Sequence, residues 1–261
     1  MSVRITVLGS GSSGNCTLIA TASCRILIDA GFGPRTLAGR LRRAGVEPDT
    51  LDAVFISHEH TDHVCGALQF SAQWKVPVHI SESAFCRLAL EEPLERRESL
   101  RAGHAVTLGD VTVTPFPVPH DAVDPFGFLV EAEGFRIGSV TDIGYLSGPV
   151  KERLKRCHAL IIESNHDTEM LKVGPYPWTL KQRVLSRRGH LSNEDLAEFL
   201  SGDYDGEALY IVLAHLSLQN NHPDIALASA RRALGRRGRL FDQPPTLLLT
   251  HQNQPSENIQ L

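Results

Sequence analysis

Six consecutive residues, His58-Glu59-His60-Thr61-Asp62-His63, constrain this chain more than any other feature. With twelve histidines in 261 residues, a six-residue window holds about 0.3 of them by composition, so three beside a carboxylate are no compositional accident. The run follows Ala53-Val-Phe-Ile-Ser57, a short apolar stretch that reads as a buried strand. Neutral imidazole and carboxylate are the donors that hold zinc, iron or manganese. His58 and His60, two apart on an extended segment, point the same way. Asp62 and His63 lie just beyond, where a helix can start and face a second metal. The commonest lookalike fails: a zincin needs H-E-x-x-H, and the fourth residue after His58 is Asp62.

Polar, ligand-type residues end several other apolar runs downstream and upstream. Asp29 ends Arg25-Ile-Leu-Ile-Asp29, His120 ends Val113-Thr-Pro-Phe-Pro-Val-Pro-His120, Asp142 ends Ile137-Gly-Ser-Val-Thr-Asp142, and His215 ends Leu209-Tyr-Ile-Val-Leu-Ala-His215. Strand bodies make a core while strand ends open onto a site. The H-x-H-x-D-H run with these satellites in this order resembles the signature of the metallo-β-lactamase-fold hydrolases. That resemblance implies an α/β fold, the αββα sandwich of two mixed β-sheets face to face with helices outside, as a single domain over residues 1–261. It further implies two divalent metal ions, Zn, Mn or Fe. His58, His60 and His120 would hold one, Asp62, His63 and His215 the other, and Asp142 would bridge them. Asp29 would orient the ligands near it. The remaining histidines, His79, His104, His158, His166, His222 and His251, show no such pattern and are read as structural.

Gly9-Ser-Gly11-Ser-Ser-Gly14 matches the dinucleotide pattern G-x-G-x-x-G, but a nucleotide site requires a helix next. Asn15-Cys-Thr-Leu-Ile-Ala20 reads instead as a strand, followed by a second over Arg25 to Asp29, so a hairpin is expected and no nucleotide cofactor. The glycines suit a tight loop near the site, which Ser10, Ser12, Ser13 and Asn15 could line, although a plain Gly/Ser turn is the simpler account. Strands are expected near 3–8, 16–21, 25–29, 53–56, 76–80, 111–117, 126–132, 135–140, 159–162, 208–213 and 246–249. Helices are expected near 34–44, 63–73, 82–91, 148–156, 166–173, 178–187, 192–200 and 223–235. Pro34 and Pro223 suit first-turn positions, and Ser192-x-x-Asp195 resembles a capping box.

The five cysteines, Cys16, Cys24, Cys65, Cys86 and Cys157, are odd in number and lack C-x-x-C spacing, so no disulfide framework is expected. The N-terminus lacks a basic region followed by a long apolar one, and no run approaches the ~20 apolar residues of a membrane span. A cytoplasmic protein without a membrane partner is the expectation. A net charge of −4 gives no global basic field. The local clusters Arg40/Arg42/Arg43, Arg96/Arg97 and Arg231/Arg232/Arg236/Arg237/Arg239 read as solvated helix faces. Lys181, Arg183, Arg187 and Arg188 differ, because they run directly into His190.

Three further segments, Leu160-Ile-Ile-Glu163-Ser-Asn-His-Asp167, Arg188-Gly-His190-Leu-Ser-Asn193 and His215-Leu-Ser-Leu-Gln-Asn-Asn221, resemble the YycJ/WalJ-like metallo-nuclease branch of the fold. Val118-Pro-His120-Asp121-Ala122 and Thr141-Asp-Ile-Gly144 add to that likeness, which spans essentially the whole chain. It implies a metal-dependent hydrolase cleaving phosphodiesters through a metal-activated hydroxide, most simply a DNA exonuclease, with DNA ahead of RNA as partner. Asp62 and His190 would be catalytic. Glu163 would support the site, Arg187 and Arg188 would hold the nucleic-acid backbone, and Ser192 and Asn193 would meet phosphate at the helix start, where capping alone explains Ser192 equally well. The chain departs from ribonuclease J in having only about seventy residues between Asp142 and His215, too few for a large inserted domain. The rival reading is a small-molecule metallohydrolase, such as a cyclic phosphodiesterase, thioesterase or lactonase. A metal-binding regulatory protein without catalysis fits less well, because the ligand set is intact. Oligomeric state is left open.

Overall fold

Apolar, β-branched runs bounded by turn residues become strands throughout this chain. The computed structural model describes residues 2–88, 96–236 and 244–261. Within them the strands are β1 (Arg4–Gly9), β2 (Cys16–Ala20), β3 (Arg25–Ile28), β4 (Ala53–Phe55), β5 (Val78–Ser81), β6 (Arg97–Leu100), β7 (Val106–Leu108), β8 (Val111–Pro117), β9 (Phe126–Ala132), β10 (Phe135–Val140), β11 (Ala159–Glu163), β12 (Tyr210–Ala214), β13 (Thr246–Leu249) and β14 (Ile259–Gln260). The α-helices are α1 (Pro34–Arg43), α2 (Thr61–Val64), α3 (Ala67–Trp74), α4 (Glu82–Arg87), α5 (Gly148–Leu154), α6 (Thr168–Val173), α7 (Trp178–Val184), α8 (Asn193–Ser201) and α9 (Pro223–Gly235). The strands make two mixed sheets of seven strands each. The chain divides into two compact units, Met1–Pro117 with Ala122–Phe135 and His251–Leu261, and Val118–Asp121 with Arg136–Thr250.

In the first unit one sheet runs β14-β1-β2-β3-β4-β5-β6. Its β14-to-β3 half is antiparallel and its β3-to-β6 half parallel. Every residue of β2 and β4 is buried, so both faces of these strands are covered. On one face, Leu37 and Leu41 of α1 and Phe70 of α3 share a core with Leu8, Leu18, Leu27, Val54 and Ile56. On the other, Phe55 stacks on His79 at 4.5 Å and meets the edge of Phe128 at 6.2 Å. A one-residue slip of β4 would turn Phe55 into the helix-packed face and lose its ring contacts with His79 and Phe128. The hairpin strands β7, β8 and β9 are antiparallel within this unit.

In the second unit β10, β11, β12 and β13 are parallel, so all four end on one side. Parallel neighbours need long crossovers. Here α5 lies between β10 and β11, α6 to α8 between β11 and β12, and α9 between β12 and β13.

Most expected elements are present, with instructive differences. The expected helix over 63–73 is two helices, α2 and α3, broken at Cys65 and Gly66. The Gly66 N–H donates to the Ala30 carbonyl, and a Cβ there would lie 1.8 Å from the Phe32 carbonyl oxygen. Close backbone approach, not local propensity, breaks the helix. The expected helix at 166–173 starts at Thr168, because Asp167 accepts the Met170 N–H as its cap. The helices expected over 148–156 and 178–187 end at Leu154 and Val184, each short of its predicted end. Strands β6, β7 and β14 went unpredicted: β6 is Arg-Glu-Ser-Leu with an exposed centre, and the others are two or three residues long. Their pairing partners, not their composition, make them strands. Of the expected helix 82–91, residues 89–91 lie outside the described ones, as do Arg237 and Arg239. Pro34 and Pro223 open their helices, and Ser192 accepts the Asp195 N–H at 3.0 Å. None of the five cysteines is in a disulfide. Among the described residues no helix is long and apolar enough to cross a membrane.

Candidate metal centre

In the first unit, β3 and β4 are parallel neighbours, and their ends deliver Asp29 and Ser57-His58 side by side. The Asp29 carboxylate is buried and accepts three hydrogen bonds: from the Ser57 N–H at 2.8 Å, the Ser57 hydroxyl at 3.0 Å and His63 Nδ1 at 2.7 Å. The Ser57 hydroxyl, having donated to Asp29, accepts from His58 Nδ1 at 2.9 Å. One carboxylate thus orients two rings, His63 directly and His58 through Ser57. The rings cluster, with centroids 4.1 Å apart for His58–His63 and 4.6 Å for His58–His60. Asp29 itself adopts φ 62°, a conformation uncommon outside glycine, which turns its side chain back across the strand ends. Glu59, the lookalike base, instead accepts the Val123 N–H at 3.0 Å.

The glycine-rich loop after β1 reaches the same segment. Strand β2, not a helix, follows it. Asn15 Oδ1 accepts from the Gly11 N–H and the Ser10 hydroxyl, both at 2.9 Å, and its Nδ2 lies 3.0 Å from His63 Nε2. The Asn15 N–H donates to the Asp62 carbonyl at 2.7 Å. Gly31 closes the clamp, since a Cβ there would sit 1.7 Å from that carbonyl oxygen. Backbone against backbone cannot yield as a side chain does, so Gly31→Ala is expected to destabilise by about 3 kcal/mol or more. For a chain of this size that is a melting-point fall of roughly 6–12 °C, read by thermal denaturation; a fall under 2 °C would mean the clamp is soft.

In the second unit, three adjacent parallel strands end on Asp142, Glu163 and His215, with Val140 in register with Ile162 and Glu163 with Ala214. Strands ~4.8 Å apart place these ends within mutual reach, and Asp142, Glu163, His190 and His215 each offer a donor atom within 4.8 Å of the others. Glu163 is completely buried and accepts four N–H groups. Its Oε1 takes His190 Nδ1 at 2.8 Å and His215 Nδ1 at 2.9 Å; its Oε2 takes the Ile143 N–H at 2.8 Å and the Leu191 N–H at 3.2 Å. Burial opposes the charge on Glu163, but His190 and these hydrogen bonds outweigh it and hold the carboxyl at about 2. Burial likewise opposes a charge on His190, while Glu163 and Asp142 prevail and raise it to about 9. Asp142 also pairs with His190 at 3.2 Å and with His215. Asp142 and His215 take φ 53° and 54°.

His120 is buried, and its Nδ1 donates to the Gly189 carbonyl at 3.0 Å. Burial lowers its pKa despite the opposing charge of Asp142, which keeps the ring neutral. Arg188 Nε donates to the His120 carbonyl at 3.1 Å. Gly144 holds the ends of this arrangement together: its N–H bonds Pro119, and a Cβ would lie 2.3 Å from the Arg187 carbonyl.

The donor chemistry fits divalent metal. His58, His63, His120 and His215 each commit Nδ1 to an oxygen, so in the neutral ring Nε2 carries the lone pair that a metal takes. Imidazole with carboxylate suits zinc, manganese or iron. Asp29→Asn replaces one oxygen of that anchor by an amide N–H, which cannot accept. Metal affinity is expected to fall roughly 10–100-fold, measured by competition with a chelator; unchanged affinity would show that Asp29 orients nothing the metal needs.

The predicted residues are therefore gathered within each unit: Asp29, His58, His60, Asp62 and His63 in the first, and His120, Asp142, Glu163, Arg188, His190 and His215 in the second. Ser192 and Asn193 lie at the start of α8. Ser192 caps α8, and Asn193 is buried against Ser164 and Asn221 at 2.6 and 2.9 Å. Both side chains bond within the protein. Sequence reading passed over Ser57 as a relay and reduced Asn15 to a turn residue, though its place directly after Gly14 was the available signal.

Comparison with known proteins agrees with this geometry. Residues 24–211 match the family model described as the beta-lactamase superfamily domain. The chain is 34% identical over 241 residues to the exodeoxyribonuclease YycJ of Bacillus anthracis, covering 91% of each protein. It is 33% identical over 256 residues to the exodeoxyribonuclease WalJ of Streptococcus pneumoniae, covering 93% of this chain and 94% of that one. In fold it is similar to the metallo-beta-lactamase fold protein YhfI from Bacillus subtilis, with TM-score 0.74 and 18% identity over 98% of this chain and 99% of that one. With the predicted strand ends carrying the predicted donors, and with relatives alike along nearly their whole length, the chain belongs to the metallo-β-lactamase-fold superfamily of metal-dependent hydrolases.

Proposed function

We propose that the protein is a DNA exonuclease that cleaves phosphodiesters at a dinuclear centre within a single catalytic domain. The observation that carries this is the 33–34% identity, over more than nine-tenths of the chain, to two exodeoxyribonucleases. In this proposal His58, His60 and His120 would hold one ion and Asp62, His63 and His215 the other, with Asp142 serving both. When bound, two divalent ions supply activated water and neutralise phosphate charge.

The chain's own residues do the rest. Asp29 and Ser57 keep His58 and His63 in the ligating tautomer. Glu163 does the same for His215 and holds His190. His190 keeps 19% of its side chain exposed, against 2% for His215. That open edge suits a proton donor to the scissile phosphate or its leaving oxygen, and the flanking carboxylates favour its charged form. Arg188, anchored on the His120 carbonyl, is exposed and positioned for a phosphate. Ser192 and Asn193 support the His190 turn from within.

The test is metal-loaded protein, with zinc or with manganese and with ion content measured, incubated with end-labelled single- and double-stranded DNA. Progressive release of short labelled products is expected. Intact DNA with two ions bound would overturn the DNA reading and direct the search to RNA or small phosphodiesters.

A further inference from the structure

The stretch Met170–His190 departs in charge from the rest of the chain. It holds five cations (Lys172, Lys181, Arg183, Arg187, Arg188) and no Asp or Glu, in a protein of net charge −4. Lys181 is buried and donates to the Lys172 carbonyl at 2.7 Å, tying the end of α6 to α7. The other four are exposed. All four are already held in place: Lys172 bonds Glu169 at 2.7 Å, Arg183 pairs with Asp121, Arg187 lies 4.0 Å over the Tyr145 ring, and Arg188 bonds the His120 carbonyl. Side chains fixed beforehand lose less entropy on meeting an anion.

Beside these cations α7 exposes an indole. Trp178 is 65% exposed and Leu185 42%. Helical spacing sets Trp178, Gln182 and Leu185 on one face, and all three are exposed. At 1.5 Å per residue this stripe runs about 10 Å toward Ser186 and Arg187. The chain then turns directly into the site: the His190 N–H bonds the Val184 carbonyl at 3.0 Å, and Gly189 receives His120 Nδ1.

We infer that the exposed face of α7 together with the turn after it, from Trp178 to Arg188, docks an unpaired nucleic-acid strand, Trp178 stacking on a base while the arginine turn holds phosphates. The inference rests on the nuclease reading and adds to it a strand-binding surface beyond the metal ligands. Stacking needs a base with an open face, which a duplex interior lacks, so a single strand or frayed end is the ligand. A second copy of the chain fits less well. A two-fold interface would set this patch against itself and bring two sets of like charges together.

Asp62→Ala protein provides a background in which DNA is bound but not consumed. The probes are dT20, rU20 and a 20-base-pair duplex, followed by anisotropy of a fluorescein label and by tryptophan emission. The chain has two tryptophans, and Trp74 is packed 4.4 Å from Phe70, so quenching reports chiefly on Trp178. Single strands are expected to quench emission. Trp178→Ala should weaken their binding roughly ten- to hundred-fold, and Trp178→Phe should restore most of it. Tighter binding of dT20 or of rU20 supports the surface either way and names its strand. Equal affinity in Trp178→Ala overturns the proposal, as does duplex binding that matches single strands without quenching. So does a dimer that Trp178→Ala dissociates while dT20 affinity is unchanged. Cleavage by the unsubstituted protein is scored separately. Quenching without cleavage leaves the strand surface standing and removes the nuclease reading; cleavage without quenching does the reverse.

Discussion

Asp62→Ala is expected to lower DNA cleavage by about 10²–10³-fold or more, the size of effect that loss of a preorganised charge-stabilising group produces. With the proposed dinuclear centre, bound metal should fall from two ions per chain to one. The fold should survive, because the structural work at this position is done by its backbone. The Asp62 carbonyl accepts the Asn15 N–H at 2.7 Å and packs on Gly31, and neither contact involves the carboxylate. The side chain is 21% exposed and its Oδ2 stands 3.4 Å from Asn15 Nδ2 and 3.7 Å from His63 Nε2. Metal-free mutant and parent should therefore differ in stability by about 1 kcal/mol or less. Metal analysis beside the cleavage assay decides the matter. Two retained ions with full activity would remove Asp62 from the centre.

Glu163→Gln should do the opposite, damaging the fold and the site together. Glu163 accepts two N–H groups at each oxygen. An amide keeps one accepting oxygen and turns an NH₂ toward the other two donors. If that NH₂ faces His190 and His215, both lose their anchor. If it faces Ile143 and Leu191, two buried backbone N–H groups are stranded. Each unsatisfied buried group costs about 1–3 kcal/mol, so a total of about 3–5 kcal/mol is expected, comparable to breaking a buried ion pair. Urea denaturation of the metal-free protein reads this directly. Metal affinity should drop as well, because His215 loses its orienting partner. A stability loss below 1 kcal/mol would mean that the four donors find water instead.

Both predictions concern residues whose chemical type was legible in the sequence while their task was not. His58 to His63 announce themselves because ligand spacing is a local property: six residues at a strand end suffice, whatever surrounds them. The satellites Asp29, His120, Asp142 and His215 were legible as ends of apolar runs, but only resemblance to a family bound them into one set. The burial of β4 was likewise written in the unbroken apolar run Ala53-Val-Phe-Ile56. The edge strand β6 was not, since Arg-Glu-Ser-Leu becomes a strand only because β5 offers it a ladder.

By itself, then, the sequence determined which donors are present, in what order, and at which strand ends, because those depend on composition and on periods of a few residues. Tertiary structure alone decided what each donor does. Asp29 meets His63 across 34 positions, and Glu163 gathers His190 and His215 from 27 and 52 positions away. Asp29, Asp142 and His215 take positive φ at the strand ends, and α2 and α3 part at Gly66 because neighbouring backbone demands it. Hydrogen bonds and close packing act over about 3 Å through space, and no spacing along the chain encodes which distant segment will lie at that range.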